Sequence, residues 1–154
     1  MHKILTTLAS LILCVSLVVA QSQERARQFN VGKSGLAIGG YDPVSYFSSK
    51  EPLEGKKEFT HTHEGITYRF ATLQNKQAFI SNPARYEPQY GGWCAYAMGD
   101  SGEKVEIDPE TFKIADGKLY LFYNKYFNNT LKSWNKNEAK LKASADKLWK
   151  AIYH

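Results

Sequence analysis

A run of apolar residues near the amino terminus sets the tightest limit on what this chain can fold into. Lys3 precedes the run from Leu8 to Val19, and Ala20 and the polar stretch QSQERARQ follow it. This order is typical of a cleavable secretory signal, and the run is shorter than the about 20 apolar residues of a membrane-spanning helix. We therefore predict that residues 1–20 are a signal peptide and that the chain is exported, to the periplasm or as a secreted protein.

Cysteine content restricts how the exported chain can be stabilised. Of the two cysteines, Cys14 lies in the predicted signal, so Cys94 is the single thiol that remains. An internal disulfide is then impossible, although the compartment favours disulfides. We expect Cys94 to be buried and inert, bridged to another molecule, or bound to a metal. The fold must depend on apolar burial, for which a chain of this length and 43% hydrophobic residues suffices in one domain.

Charge and motif content exclude several classes of function. The net charge of +5 is modest and no run of like charges or nucleic-acid motif accompanies it, so we predict no nucleic-acid binding. Membrane contact is not expected once the signal is removed. The chain has no supported Ser/His/Asp arrangement, no Cys-x-x-Cys and no phosphate loop, so the sequence makes no strong case for an enzyme.

Local patterns predict the elements of the amino-terminal part. The polar stretch 21–35 is interpreted as a flexible leader, ahead of a domain over 36–154. Alternation across residues 57–71 around Glu64-Gly65 predicts a β-hairpin. Thr72 is then placed to cap a helix over 73–81.

The carboxyl-terminal part combines short strands with an amphipathic helix. Strands are expected at 105–107, 112–114 and 119–123, with turns at Asp108-Pro109 and Asp116-Gly117. Helical spacing places one apolar stripe on the last segment, at Leu131, Trp134, Leu141, Ala145, Leu148 and Ile152. No internal repeat is evident. The pattern predicts an α+β fold with β-hairpins packed on short helices and a carboxyl-terminal amphipathic helix.

Several motifs in one order resemble the YHS domain family, and most closely its exported single-domain bacterial branch. They are Gly40-Tyr41-Asp42-Pro43-Val44, Gly65 to Phe70, Asn82 to Tyr86, Gly91 to Ala97, Asp116 to Leu121, and Ala145-Asp146 with Trp149. The resemblance implies a small YHS-type domain and a link to metal handling, which in this family depends on cysteines. Where the family has those cysteines this chain has Ser45, Ala71 and Asn75, so their metal role does not transfer.

The remaining soft donors define a candidate metal site. Cys94 is expected in the first turn of a helix after Gly91-Gly92, where the helix dipole favours a thiolate, and Met98 follows four residues later. A thiolate and a thioether favour copper(I). His61 and His63 alternate along a strand and face one side, which suits zinc or copper if Cys94 comes close. A buried thiol and a solvated histidine pair are the competing interpretations.

An aromatic cluster defines the alternative site. Tyr90 and Trp93, with Tyr41 and the carboxylate of Asp42, are predicted to line a small-ligand pocket. Two functions therefore remain open: a copper- or zinc-binding protein, or a metal-free module that recognises a small ligand or a protein outside the cytoplasm. The metal, the ligand, the partner and the oligomeric state do not follow from the sequence.

Overall fold

The computed structural model describes residues 20–153, so residues 1–19 of the predicted signal and the terminal His154 lie outside the described residues. The described chain is mixed α+β, which confirms the predicted fold class. Its elements are α1 (Ser45–Ser48), β1 (Lys56–His63), β2 (Ile66–Phe70), α2 (Leu73–Ser81), α3 (Pro83–Tyr86), α4 (Ala95–Asp100), β3 (Asp108–Ala115), β4 (Lys118–Phe122), β5 (Asn124–Lys125), β6 (Asn128–Asn129), α5 (Thr130–Lys136) and α6 (Glu138–Ile152). Within residues 20–153, no helix is both long and apolar enough to cross a membrane.

The amino-terminal segment is part of the domain. In place of the flexible leader predicted over 21–35, residues 20–28 are helical. Arg25 is only 6% exposed and donates to both carboxylate oxygens of Glu87, at 2.7 and 2.8 Å, and to the carbonyl of His63. Phe29 is buried against the carboxyl-terminal helix. The Arg25–Glu87 ion pair and the Phe29 ring thus help to order a stretch whose composition is mostly polar. The backbone amide of Asn30 also donates to the Gly91 carbonyl, at 2.8 Å.

Each of two β-hairpins pairs an eight-residue strand with a five-residue strand. The predicted turns at Glu64-Gly65 and Asp116-Gly117 are confirmed, because they join β1 to β2 and β3 to β4. The expected strand at 105–107 is absent, and Asp108 and Pro109 begin β3. There the Asp108 carboxylate accepts from the Glu110 amide, and the local turn becomes a bulge inside the strand.

These hairpins belong to two similar halves of the chain, residues 36–72 (the first half) and 88–124 (the second half), which lie 52 positions apart. Each half runs from a short 3-10 segment containing Gly-Gly, through a short helix, to a hairpin with a bulge near the start of its first strand. The structure thus reveals a repeat that the sequence did not. Identity is confined to Gly39/Gly91, Gly40/Gly92, Ser49/Ser101, Glu51/Glu103, Glu54/Glu106, Glu58/Glu110, Gly65/Gly117, Tyr68/Tyr120 and Phe70/Phe122.

Backbone conformation repeats more faithfully than sequence. Ile38 (φ 54°, ψ 30°) and Tyr90 (φ 56°, ψ 36°) occupy the same position of the two Gly-Gly segments, and both are left-handed. That conformation costs a residue with a side chain about 1–2 kcal/mol. Equivalent parallel bridges then attach each segment to its own hairpin, Leu36 to Thr67 and Pro88 to Leu119.

The carboxyl-terminal helices cover the second half. The predicted stripe is confirmed at Trp134, Leu141 and Ala145, which are buried. The helix is broken at Asn137, whose φ of −151° separates α5 from α6. α6 packs closely on α4 because Gly99 has no side chain, and a Cβ there would lie 2.4 Å from the Leu141 carbonyl oxygen.

Candidate functional site

Cys94 is the N-cap residue of α4, directly after the second Gly-Gly segment. It is a free thiol with no exposed surface. Its Sγ accepts a hydrogen bond from the backbone amide of Tyr123 at 3.4 Å and lies 3.4 Å from Thr130 Oγ1. The thiol therefore connects the start of α4 to the chain that follows β4, in a buried setting.

Asp42 occupies the position equivalent to Cys94 in the first half. It is also fully buried, and its Oδ2 accepts from the Ala71 amide at 2.8 Å, the counterpart of the bond from Tyr123 to Cys94. The Asn75 side chain and the Val44 amide complete its contacts, at 2.6 and 2.8 Å. The carboxylate predicted as a polar anchor for a ligand is thus occupied by bonds that hold its own half together.

The other predicted metal ligands lie in different surroundings. His61 and His63 both place their rings against Phe79, with centroids 6.4 and 6.1 Å away. Burial, and then the charges of Lys76 and of the other histidine, lower the pKa of His61. Met98 is fully buried in the cluster around Trp134, whereas Cys94 belongs to the cluster around Phe79.

These donors do not form a recognisable ion site in the part of the chain that the structure describes. Among residues 20–153, no three His, Cys, Asp or Glu side chains are grouped so that they could hold one metal ion. Copper or zinc binding by Cys94, Met98, His61 and His63 stays a prediction.

Two of the predicted pocket residues occupy equivalent positions but serve separate contacts. Tyr41 donates its hydroxyl to Glu110 Oε1 at 3.3 Å. Trp93 donates its indole N–H to the Gln28 carbonyl at 2.6 Å, which attaches the amino-terminal segment. Of the four residues predicted to form the pocket, Tyr90 is the one that lines the cleft described next.

The cleft lies between the second Gly-Gly segment and the carboxyl-terminal helix, and we call it the Tyr90 cleft. Its volume is about 390 Å³. Aromatic rings form one wall, with Trp149 and Tyr153 stacked at 5.6 Å and Phe29 edge-on to both. The full lining is Phe29, Ala84, Glu87, Pro88, Gln89, Tyr90, Gly91, Asp146, Trp149, Lys150 and Tyr153.

Tyr90 is held in the cleft by its backbone and by its hydroxyl. The left-handed turn directs the ring inward, where it is 4% exposed, and the hydroxyl donates to Asp146 Oδ1 at 2.9 Å. Burial, and then the hydrogen bond to Asp146, raise the pKa of the Tyr90 phenol far above its usual value. The phenol therefore remains a neutral donor, and Asp146 retains its second oxygen for other contacts.

A second carboxylate of the cleft, Glu87, is neutralised. Arg25 forms an ion pair with it, in which Nη2 donates to both carboxylate oxygens, and the Tyr68 hydroxyl donates to Glu87 Oε1 at 2.6 Å. Burial by itself lowers the pKa of Arg25, but the hydrogen bond and charge of Glu87 outweigh it and raise that pKa. Asp146 is thus the lining carboxylate without a cation among the described ion pairs.

Most of this lining was missed by sequence reasoning. Phe29 fell within the predicted leader, and Trp149 and Asp146 entered only as family motif residues at the other end of the chain. The spacing of Asp146, Trp149, Lys150 and Tyr153 at three and four residues places them along one side of a helix, and this was the available signal.

The chain matches no protein-family model, and comparison with curated proteins and with solved structures gives no match either. What the fold and the cleft define is an α+β domain, built from two similar halves, with an aromatic cleft to which both terminal segments contribute lining residues.

Proposed function

We propose that this chain is an exported, YHS-type recognition module that binds a small organic ligand, without a metal, in the Tyr90 cleft. The observation that carries the proposal is a cleft of about 390 Å³ that combines a three-ring aromatic wall with a carboxylate. Ligand sites of proteins also combine aromatic side chains with a few placed polar groups, and have volumes of about 300–1,000 Å³.

The charges of the lining favour a ligand with an amine. Because Arg25 neutralises Glu87, the carboxylate of the lining without a described ion pair is Asp146, which shares that lining with Trp149 and Tyr153. Aromatic faces and a carboxylate both attract a cation. The ligand class is therefore a small molecule with a flat apolar part and a positively charged nitrogen.

Calorimetric titration of the exported protein with phenethylamine and with phenylacetate tests this charge preference. We expect phenethylamine to bind more tightly, and Asp146→Asn to remove most of the preference while keeping an acceptor for Tyr90. Asp100→Asn, at an exposed position on α4, is the matched control. Equal binding of the two probes, or a preference unchanged in Asp146→Asn, would refute an amine ligand.

Thermal unfolding separates this proposal from metal handling. Ligand recognition without a metal predicts the same melting temperature in chelator and after loading with copper or zinc. A metal-dependent rise that disappears in Cys94→Ala would instead favour the copper or zinc function.

A further inference from the structure

The β5–β6 hairpin follows the second half, and no such hairpin follows the first half. In the first half Thr72 directly follows Ala71 and caps α2, which begins at Leu73. After β4, at the end of the second half, the chain forms β5 and β6, and only then reaches the cap of α5 at Asn129. The fold thus closes its first half without such a hairpin.

The tip of this hairpin presents two aromatic side chains to solvent. Tyr126 is 89% exposed and Phe127 is 111% exposed, more than any other large apolar residue described as exposed. Both have positive φ, 52° and 65°. A two-residue turn with this geometry favours Asn-Gly, and bulky residues there are strained. The turn therefore holds two rings in a strained backbone conformation, and burial of these nearly fully exposed rings does not offset that strain.

The chain around the tip is basic. Residues 117–137 contain lysines and no aspartate or glutamate. Lys125 precedes the tip in β5, and Lys132 and Lys136 are exposed one turn apart on α5. The carboxylates at either end of this stretch, Asp116 and Glu138, are paired with Lys142 and Lys113.

We propose that the Tyr126-Phe127 tip attaches this protein to the surface of a bilayer that contains anionic phospholipid. The two rings enter the boundary between headgroups and acyl chains, and Lys125, Lys132 and Lys136 lie against the anionic headgroups. Aromatic residues favour this boundary, and basic residues near it are attracted to the negative surface potential. The contact is peripheral, is independent of the Tyr90 cleft, and revises the expectation of no membrane contact.

Vesicle co-sedimentation tests the proposal on the protein recovered after export, with its amino terminus determined by mass spectrometry so that all variants are identical there. The vesicles are phosphatidylcholine with and without phosphatidylglycerol. We expect binding to the anionic vesicles, reduced by added salt, and about tenfold or more weaker in Phe127→Ser because a ring is withdrawn from the apolar phase. Leu73→Ser, which removes an apolar side chain that is 53% exposed at the start of α2, is the control and leaves binding unchanged.

A second variant separates the role of the tip in binding from its role in folding. The double change Tyr126→Asn, Phe127→Gly installs the preferred turn, so we expect a higher melting temperature and loss of vesicle binding together. Lys125→Glu weakens binding to anionic vesicles, whereas Lys57→Glu in β1 does not. Absence of binding by the wild type, equal binding by the double variant, or capture of a second copy or another protein through the tip in place of vesicles would overturn the proposal.

Discussion

The first and second halves share a backbone conformation and differ in the buried residue that connects the Gly-Gly segment to the end of the hairpin. In both halves, a buried side chain just after the Gly-Gly segment accepts a hydrogen bond from the backbone amide that directly follows the hairpin of that half. Asp42 does so at 2.8 Å with two further donors, and Cys94 at 3.4 Å beside one hydroxyl. Cys94, the thiol of the described residues, therefore occupies a structural position that a carboxylate fills in the other half.

A second difference concerns the surroundings. β2 alternates buried and partly exposed residues, whereas β4 is buried from Leu119 to Phe122 because α5 and α6 cover its other face. The second half can therefore depend on apolar contacts, and its fastening bond can be weak. The first half depends more on the bonds of Asp42.

Asp42→Ala is expected to have the largest effect on this comparison. It leaves the amides of Val44 and Ala71 and the side chain of Asn75 without their acceptor in a buried site. We expect the free energy of unfolding to fall by about 4 kcal/mol. Urea denaturation measures it, with Asp42→Asn as a milder variant that keeps one acceptor oxygen. A loss below about 1 kcal/mol would show that the first half does not need this fastening.

Arg25→Ala comes next, because Arg25 joins the end of β1 to the entrance of the second half. The change leaves Glu87, whose side chain is only 16% exposed, without its cation, and we expect a loss of about 3 kcal/mol in the free energy of unfolding. Arg27→Ala, two residues along the same helical segment and 75% exposed, is the matched control with no measurable loss. Equal losses of unfolding free energy in the two variants would instead support the flexible leader that the sequence predicts.

Cys94→Ala is expected to cost less than Asp42→Ala, about 1 kcal/mol, because thiol hydrogen bonds are weak. The same burial predicts that a thiol reagent reacts with native Cys94 only as fast as the protein opens. Urea denaturation measures the loss of unfolding free energy in Cys94→Ala, and mass spectrometry follows the alkylation of Cys94 in the wild type. Rapid alkylation of the native protein would contradict the structural assignment of the thiol.

The smallest effect concerns the hairpin turns. The turn residue Glu64 pairs with Arg25, which lies on the amino-terminal helical segment. The turn residue Asp116 pairs with Lys142, which lies on α6. The hydrogen bond and charge of Lys142 lower the pKa of Asp116 below its ordinary 3.8. A carboxylate whose pKa is lowered in the folded state stabilises the fold at pH values above its ordinary pKa. This contribution is lost as the pH falls through the folded-state pKa.

We therefore expect the melting temperature of Lys142→Met to lie slightly below that of the wild type at neutral pH, and the gap to close in acid or in high salt. Because Asp116 is exposed, the gap should not exceed a few degrees. Thermal unfolding followed by circular dichroism at several pH values measures it, and a gap that persists in acid would assign the effect to packing.

Features that depend on a few adjacent residues could be predicted from the sequence. The turn at Glu64-Gly65, the cap at Thr72 and the turn at Asp116-Gly117 all occur where local chemistry placed them. The helix break at Asn137 had no such signal, because neither glycine nor proline marks it.

The cleft and the repeat could not be derived in this way. Phe29 and Trp149 lie 120 positions apart, and only tertiary packing brings their rings to 6.0 Å. The repeat is carried by backbone angles at Ile38 and Tyr90, residue types that give no indication of a left-handed conformation. The equivalence of Asp42 and Cys94 therefore became visible only in three dimensions.

The left-handed backbone at Tyr90 has a consequence for the thermodynamics of ligand capture. A ring fixed by a strained turn, by burial and by Asp146 has already lost its rotational freedom before a ligand arrives. The entropy of ordering that side chain is therefore lost when the protein folds. When a ligand binds at this wall, the entropy that is lost is chiefly that of the ligand itself.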